Sequence, residues 1–327
     1  MNNVLGLRAR SAVRIRARCE ADRGVFAAGL TMMAFAAIAA LVLPLSLLFR
    51  FVSRTYNEGW NAFWAGAAER GEPLYLPLDS LVTNNYPPLS FYTVAYIGRL
   101  LGDNVIAGRL VSLASFAVMI VSVYLLLRAT NIARHIAFAG AVFLLVAFSY
   151  YGNNYVAMND PQMLGHALML CAAVVLWRLD FSAFAIVCGA VLMLLGGFTK
   201  HLLIPLPVAT TVWLALYRRD RLGLWLTCFA IGLPLGFWLT ASRYPLFVDN
   251  LLSSRVYLLK QGLSATTHTL ARFSPMLLLG AIPLVRALRA NGRSVLTPRV
   301  AFVLLYVTLS LIVGAIAAGG AGVTRNA

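Results

Sequence analysis

Few residues of this chain are suited to chemistry: two carboxylates, one lysine and the histidine beside it. Glu58 follows the first apolar run, and a carboxylate near hydrocarbon is costly, at about 2.5–3.5 kcal/mol at a helix centre. Asp160 precedes Pro161 at the start of a later apolar run, and Lys200-His201 follows another. If the fold brings these segments together, the two carboxylates could perform acid–base catalysis. A compact ammonium group suits a phosphate.

Each of these residues also has a structural interpretation, and the sequence leaves both open. Glu58 could complement the dipole of a helix that begins nearby. Asp160 could be a helix N-cap with Pro161 at the first helical position. Lys200 could extend its ammonium group to the membrane interface, and His201 could be a structural polar residue.

The stretch around Glu58, residues 56–92, holds four of the chain's eleven acids. It ends in Asn84-Asn85-Tyr86-Pro87-Pro88, where paired prolines predict that no helix begins until after the second one. The aromatic residues that follow are typical of a membrane interface. This junction is either an interfacial anchor or the wall of a lipid-substrate groove.

Composition indicates an all-α polytopic membrane protein. The chain is 61% hydrophobic and 12% charged, and long apolar runs recur from residue 24 to residue 319. The net charge of +16 comes from 25 arginines and two lysines. In a membrane chain such an excess is typical of cytoplasmic loops, so no nucleic acid partner is predicted. The four cysteines show no disulfide or metal-binding spacing.

The apolar runs predict nine transmembrane helices, with the N-terminus in the cytoplasm. They lie at residues 25–49, 104–127, 133–150, 157–177, 181–198, 202–217, 222–240, 274–288 and 300–318. Residues 89–101 are shorter than the roughly 20 needed to span, and they are assigned to an interfacial helix. A crossing there would place later basic loops outside, against the positive-inside rule. The chosen topology places 16 arginines and four acids inside, and 11 basic residues and seven acids outside.

Three segments follow from this topology. Residues 1–23 form a basic cytoplasmic N-terminus, residues 24–319 form the transmembrane module with an extracytoplasmic loop at 50–101, and residues 320–327 form an extracytoplasmic tail. Because the chain stops just after a span, we expect it to be incomplete. Four polar stretches, at residues 56–92, 151–162, 199–201 and 242–272, share the outer side, which predicts an active site open to that face.

An ordered set of motifs within residues 50–217 resembles the GT-C superfamily of polyprenyl-phosphate-sugar glycosyltransferases. The likeness is to the bacterial branch similar to protein O-mannosyltransferases and the aminoarabinose transferases of lipid A. The motifs are Asn57-Glu58-Gly59, Gly71-Glu72-Pro73-Leu74-Tyr75, Tyr86-Pro87-Pro88-Leu89, Gly108-Arg109-Leu110-Val111-Ser112, Asn159-Asp160-Pro161 and Thr199-Lys200-His201. Each motif is weak alone, and their order carries the resemblance.

The resemblance implies a transferase that moves sugar from an isoprenoid phosphate to a hydroxyl acceptor, which could be a glycan, a lipid or a protein. The family often has an Asp-Glu pair in the first outer loop, and here Asn57 replaces the Asp, so the base role passes to Glu58 with Asp160 as its catalytic partner. The implied substrate-binding residues are Asn57, Asn85, Tyr86, Lys200 and His201. The isoprenoid is expected beside residues 89–101.

No cofactor is required by this interpretation, and a divalent metal has no supporting ligand motif. The expected location is the bacterial cytoplasmic membrane, with membrane lipids around the protein. Two alternatives stay open. A lipid or small-solute transporter would use the acids and Lys200 to line a pathway. A non-catalytic membrane subunit would follow if the catalytic remainder lay elsewhere.

Overall fold

The computed structural model describes residues 2–152, 155–253 and 258–319, and these residues fold into helices without a strand. This confirms the all-α class. The predicted tail at residues 320–327 lies outside the described residues. The helices are α1 (Asn2–Ser46), α2 (Tyr56–Arg70), α3 (Leu89–Leu101), α4 (Asn104–Ala129), α5 (Arg134–Tyr151), α6 (Pro161–Arg178), α7 (Ala183–Thr199), α8 (Pro205–Tyr217), α9 (Arg219–Arg243), α10 (Phe247–Leu251), α11 (Leu259–Asn291) and α12 (Pro298–Gly319), with a 3₁₀ turn at Gly292–Val295 between the last two.

Among the described residues, six helical segments are long and apolar enough to cross a membrane, which confirms a multi-pass membrane protein. They are Gly24–Ser46, Asn104–Ala129, Arg134–Tyr151, Arg219–Arg243, Leu259–Asn291 and Pro298–Ala318. The three other predicted spans correspond to α6, α7 and α8, which have 18, 17 and 13 residues. The count of nine therefore stays a prediction.

In the predicted first outer loop, residues 50–101, two helices begin and end where the capping, glycine and proline residues predict. Helix α2 begins after Thr55, whose hydroxyl accepts a hydrogen bond from the Glu58 amide, and ends at Gly71, which has a φ of +72°. Helix α3 begins directly after Pro88, which confirms that the paired prolines delay the helix. This segment therefore contains two short helices, α2 and α3, joined by a connecting loop.

Helices α4, α6 and α7 pack side by side and support the site. Small residues allow this: Gly165 on α6 lies against the backbone oxygen of Gly196 on α7. Farther along, Ile186 and Trp213 join a buried apolar cluster with Trp225 of α9. These contacts fix the N-terminal end of α6 relative to the C-terminal end of α7.

Helix α11 differs from the prediction. The expected outer loop at residues 242–272 contains α10 and the first part of α11, which begins at Leu259 instead of near residue 274. The polar side chains there are compatible with a helix because three threonines donate their hydroxyls to carbonyl oxygens one turn earlier: Thr266 to Gly262, Thr267 to Leu263 and Thr269 to Ala265.

We expect Gly108→Ala to destabilise the protein, although alanine normally favours a helix. A Cβ at this position of α4 would overlap the side chain of Asn159 in the turn before α6. Overpacking of this kind costs about 1–3 kcal/mol. Thermal unfolding of the purified protein in detergent should show a lower midpoint.

Gly223→Ala is the matched control, because no atom lies within 4 Å of the added Cβ on α9. It should leave the midpoint unchanged or raise it. Equal midpoints for Gly108→Ala and Gly223→Ala would contradict the close packing of α4 against the Asn159 turn.

Candidate functional site

The candidate site is built on a buried ion pair between Glu58 of α2 and Arg109 of α4. The Arg109 Nη2 and Nε atoms lie 2.7 and 2.8 Å from the two carboxylate oxygens of Glu58, in a bidentate arrangement. Both side chains are 0% exposed. Glu58 is therefore a buried, paired acid and does not face solvent.

Arg109 also binds the chain that leads from α1 to α2. Its guanidinium donates to the backbone carbonyl oxygens of Leu47, Arg50 and Val52. A guanidinium has five N–H donors in a fixed plane, and here they hold both a carboxylate and the connecting segment. Arg109 belongs to one of the motifs that carry the family resemblance, but the sequence alone assigns it no role. An arginine inside an apolar helix was the signal that could have identified it.

The same carboxylate holds the turn that precedes α6. The amide N–H of Asn159 donates to Glu58 Oε1 at 3.2 Å, and the amide N–H of Arg54 donates to Oε2 at 2.6 Å. Asn61 reinforces the link, because its side-chain Nδ2 donates to the Asn159 carbonyl oxygen at 2.8 Å. The turn carrying Asp160 is thereby attached to α2.

Asp160 and Lys200 form a second buried ion pair. Asp160 caps α6 by accepting from the Gln162 amide at 2.8 Å, which confirms the N-cap interpretation. The same oxygen lies 3.3 Å from Lys200 Nζ at the end of α7. Lys200 Nζ also lies 3.5 Å from the Tyr86 hydroxyl and 4.6 Å from the centre of the Tyr86 ring. The side chains of Asp160 and Lys200 are 1% and 9% exposed.

The other oxygen of Asp160 borders a polar cavity of about 10 Å³, with room for about one water molecule. Asp160 Oδ2, Asn61 Oδ1 and Ser90 Oγ are buried there, and none has a hydrogen-bond partner among the described residues. Asp160 thus uses one carboxylate oxygen for the helix cap and the ion pair, and its other oxygen accepts no hydrogen bond from the described residues. Glu58 uses both oxygens.

Burial and charge act in opposition on these groups. Burial favours a higher pKa for Glu58, but hydrogen bonds from Arg109 and from the Arg54 and Asn159 amides lower that pKa below its usual value. Burial disfavours the charged form of Lys200, but the Asp160 carboxylate more than compensates and raises the lysine pKa. Glu58 and Lys200 are therefore charged near neutral pH.

Tyr155 completes the surroundings of the second ion pair. Burial, and then the negative charge of Asp160, raise the pKa of the Tyr155 hydroxyl. Its backbone carbonyl oxygen accepts from the Ser112 hydroxyl at 2.8 Å, which fixes the residue against α4. Sequence reasoning did not single out Tyr155, because nothing in its local pattern shows that the turn folds back towards Lys200.

The remaining predicted residues occupy the edge of this site. Asn57 is exposed and contributes its backbone carbonyl oxygen, which accepts from Asn61. Asn85 is half-buried next to Tyr86, and His201 is half-buried next to Lys200. Within the described ranges, no group of three His, Cys, Asp or Glu side chains could hold a metal ion.

Tyrosines connect the first outer loop to the chain after α9. The Tyr92 and Tyr244 hydroxyls are hydrogen-bonded to each other, and the Tyr75 hydroxyl donates to the Tyr86 carbonyl oxygen at 2.8 Å. The Tyr75 ring meets the Tyr244 ring at a centroid distance of 5.5 Å. The described parts of all four predicted polar stretches therefore lie at one end of the helix assembly.

An apolar cavity of about 440 Å³ opens beside the second ion pair. It runs between α7, α8 and α9, and His201 and Pro87 lie among its lining residues. These two residues adjoin Lys200 and Tyr86 in the chain, so one end of the cavity approaches the second ion pair, although neither Lys200 nor Asp160 lines it. The lining itself is mostly apolar and suits the alkyl part of a ligand.

No family model, curated protein or solved structure matches this chain. The geometry of the site therefore carries the functional argument.

Arg109→Met should destabilise the fold strongly, because it leaves Glu58 buried without its counter-ion. Breaking a buried pair in this way costs about 3–5 kcal/mol. The double variant Glu58→Gln/Arg109→Met should recover much of the loss, since it removes both charges. Thermal unfolding in detergent, read as a double-mutant cycle, measures the coupling.

Glu72→Gln is the control for this cycle. Glu72 pairs with Arg70 at 2.7 Å, but both side chains are about half exposed. Its loss should leave the midpoint nearly unchanged. A double variant as unstable as Arg109→Met would show that the charge pairing is not the cause.

Proposed function

We propose that this protein is a membrane glycosyltransferase. It moves a sugar from a polyprenyl-phosphate carrier to a hydroxyl acceptor at the extracytoplasmic face. The observation that carries the proposal is the buried Lys200–Asp160 pair, next to which His201 lines an apolar cavity. A cation close to a cavity lined by apolar side chains suits a lipid with a phosphate head, and the adjacent carboxylate can accept a proton.

The donor would place its phosphate at Lys200 and its chain in the apolar cavity. Nζ carries three N–H donors, and Asp160 and Tyr86 account for two of them. The third can serve a phosphate oxygen, with His201 beside it at the cavity wall. This differs from the expected isoprenoid path along α3, because the cavity follows α7–α9 and reaches the first outer loop at Pro87.

The reaction would be a displacement at the anomeric carbon. The acceptor oxygen forms a bond to that carbon while the bond from the carbon to the phosphate oxygen breaks. The polyprenyl phosphate leaves with the electron pair, and Lys200 stabilises its charge. The acceptor proton goes to Asp160, whose Oδ2 has no hydrogen-bond partner among the described residues and borders the water-sized cavity, so a water molecule there would relay the proton.

Glu58 takes a positioning role in this scheme. As a base it would need a free oxygen, and both of its oxygens accept hydrogen bonds from Arg109 and from backbone amides. The position of Asn57, where the related family often has its base, is consistent with moving that task to Asp160. Asn57 and Asn85 would contact the sugar from the exposed edge of the site. The scheme requires no metal.

The orientation rests on charge. The predicted topology leaves 16 arginines and four acids on one side against 11 basic residues and seven acids on the other, and the more basic side is cytoplasmic by the positive-inside rule. The site then faces outward from a bacterial cytoplasmic membrane. An acceptor there could be a glycan, a lipid or a protein.

Asp160→Asn should lower sugar transfer by about 10²–10⁴-fold, the usual contribution of a general base. Asparagine caps helices as well as aspartate does, but it leaves the buried Lys200 without its counter-ion, so the midpoint of thermal unfolding is measured beside transfer to show that the variant is folded under the assay conditions. The measurement is transfer from a panel of radiolabelled polyprenyl-phosphate sugars. Asp79→Asn, which changes an exposed acid between α2 and α3, should retain the wild-type rate.

Lys200→Met tests the phosphate contact, with Lys260→Met as its match, because these are the only two lysines of the chain. The first should lose transfer and donor binding, and the second should lose neither. Wild-type transfer by Asp160→Asn would contradict the proposed base. A folded wild-type protein that turns over no donor would contradict the enzyme and favour the transporter.

A further inference from the structure

A second cavity, of about 600 Å³, has Tyr155 in its wall. Helices α4, α5, α6 and α11 surround it. Its walls include Phe143, Phe148 and Phe273, and also residues with polar groups. Three of those polar residues, Tyr155, Gln162 and His166, will be called the polar edge. The volume falls within the range of pockets that bind small molecules.

The polar edge contains a preformed hydrogen-bonding pair. Gln162 and His166 stand one turn apart on α6, and the Gln162 Nε2 atom lies 2.6 Å from His166 Nε2. An amide and an imidazole together offer both donors and acceptors. A hydroxyl group, which both donates and accepts, matches such a pair.

The described lining of this cavity lacks carboxylate, ammonium and guanidinium groups. It contains no Asp, Glu, Lys or Arg. Arg272 lies at the border of the cavity, with its guanidinium 5.2 Å from the centre of the Tyr151 ring. A ligand with a formal charge inside the cavity would be desolvated without a counter-ion, so the lining favours an uncharged ligand.

The cavity adjoins the proposed reaction centre through Tyr155, and it is bordered by α5 and α11. Tyr155 borders it and also stands within the field of Asp160 and Lys200. Helix α11 packs mainly on α12. It meets α5 where Phe273 and Arg272 contact the Tyr151 ring. A ligand could therefore enter between α5 and α11 from the lipid phase.

We propose that this cavity binds the acceptor, and that the acceptor is an uncharged amphiphile carrying a hydroxyl group. Its alkyl part lies between α5 and α11, and its hydroxyl is held by Gln162 and His166 near Tyr155. This inference rests on the proposed transferase function. It narrows the acceptor from three classes to one, a hydroxylated lipid taken from the membrane.

The test uses hexadecanol that carries a photoreactive diazirine, with a diazirine-bearing hexadecane and a diazirine-bearing palmitate as comparison probes. After irradiation of the full-length protein in detergent, mass spectrometry locates the labelled residues. The alcohol should label α5 and α6 around this cavity, and the alkane and the carboxylate should label it less. Gln162→Leu should weaken labelling by the alcohol by about 3–10-fold, the effect of one lost hydrogen bond.

Ala147→Trp fills the cavity, since Ala147 is one of its wall residues on α5. Val121→Trp is the matched control, because that side chain points to the surface of α4 with 55% exposure. Labelling by the alcohol should disappear in the first variant and persist in the second. Equal labelling in both variants, or equal labelling by the alcohol and the alkane in wild type, would overturn the inference.

Two further measurements distinguish the failure of this inference from the failure of the proposed function. Sugar transfer to hexadecanol should be lost in Ala147→Trp while binding of the polyprenyl-phosphate donor is kept. Transfer that continues in Ala147→Trp overturns the acceptor cavity and leaves the transferase intact. Hydroxyl-selective labelling with no sugar transfer from any donor contradicts the transferase and the acceptor role together, and leaves a lipid site.

Discussion

The buried ion pair between Glu58 and Arg109 is the constraint on which the candidate site and its supporting helices depend. A carboxylate and a guanidinium with no exposure to solvent are expensive to bury, and they persist only when every donor and acceptor is satisfied. Here the guanidinium also binds three backbone carbonyl oxygens after α1, and the carboxylate accepts backbone amides from Arg54 and Asn159. One pair thus joins α1, α2, α4 and the turn before α6.

The second ion pair follows from the first. The turn before α6 is fixed by its hydrogen bonds to Glu58 and Asn61, so Asp160 can meet Lys200, which the α6–α7 packing presents from the other side. The two pairs divide the work. Glu58 is saturated and structural, whereas Asp160 keeps one oxygen without a partner among the described residues. Of the two pairs, only the second therefore has a carboxylate oxygen that could accept a proton without breaking a described hydrogen bond.

The sequence predicted the class of fold, the helix start after Pro88, the N-cap at Asp160 and the assembly of the polar stretches on one side. These features depend on local rules: proline geometry, capping and hydrophobic length. Arg109 and Tyr155 were missed as parts of the site, because their roles arise from contacts with residues more than 40 positions away. The start of α11 was misjudged, because threonines that bond within a helix resemble loop residues in a sequence. The base role predicted for Glu58 stays a prediction, and its contacts favour a positioning role.

The most direct test of this account is the chemical reactivity of the two lysines. Lys200 is 7% exposed and paired, whereas Lys260 is exposed, so an amine-acylating reagent has an internal reference in the same chain. Site-resolved mass spectrometry should find Lys260 modified and Lys200 protected in the folded wild-type protein. If the Glu58–Arg109 pair positions Asp160, the variant Arg109→Met should expose Lys200 to the reagent with no change at Lys260. Equal protection of Lys200 in wild type and in a folded Arg109→Met protein would contradict the account.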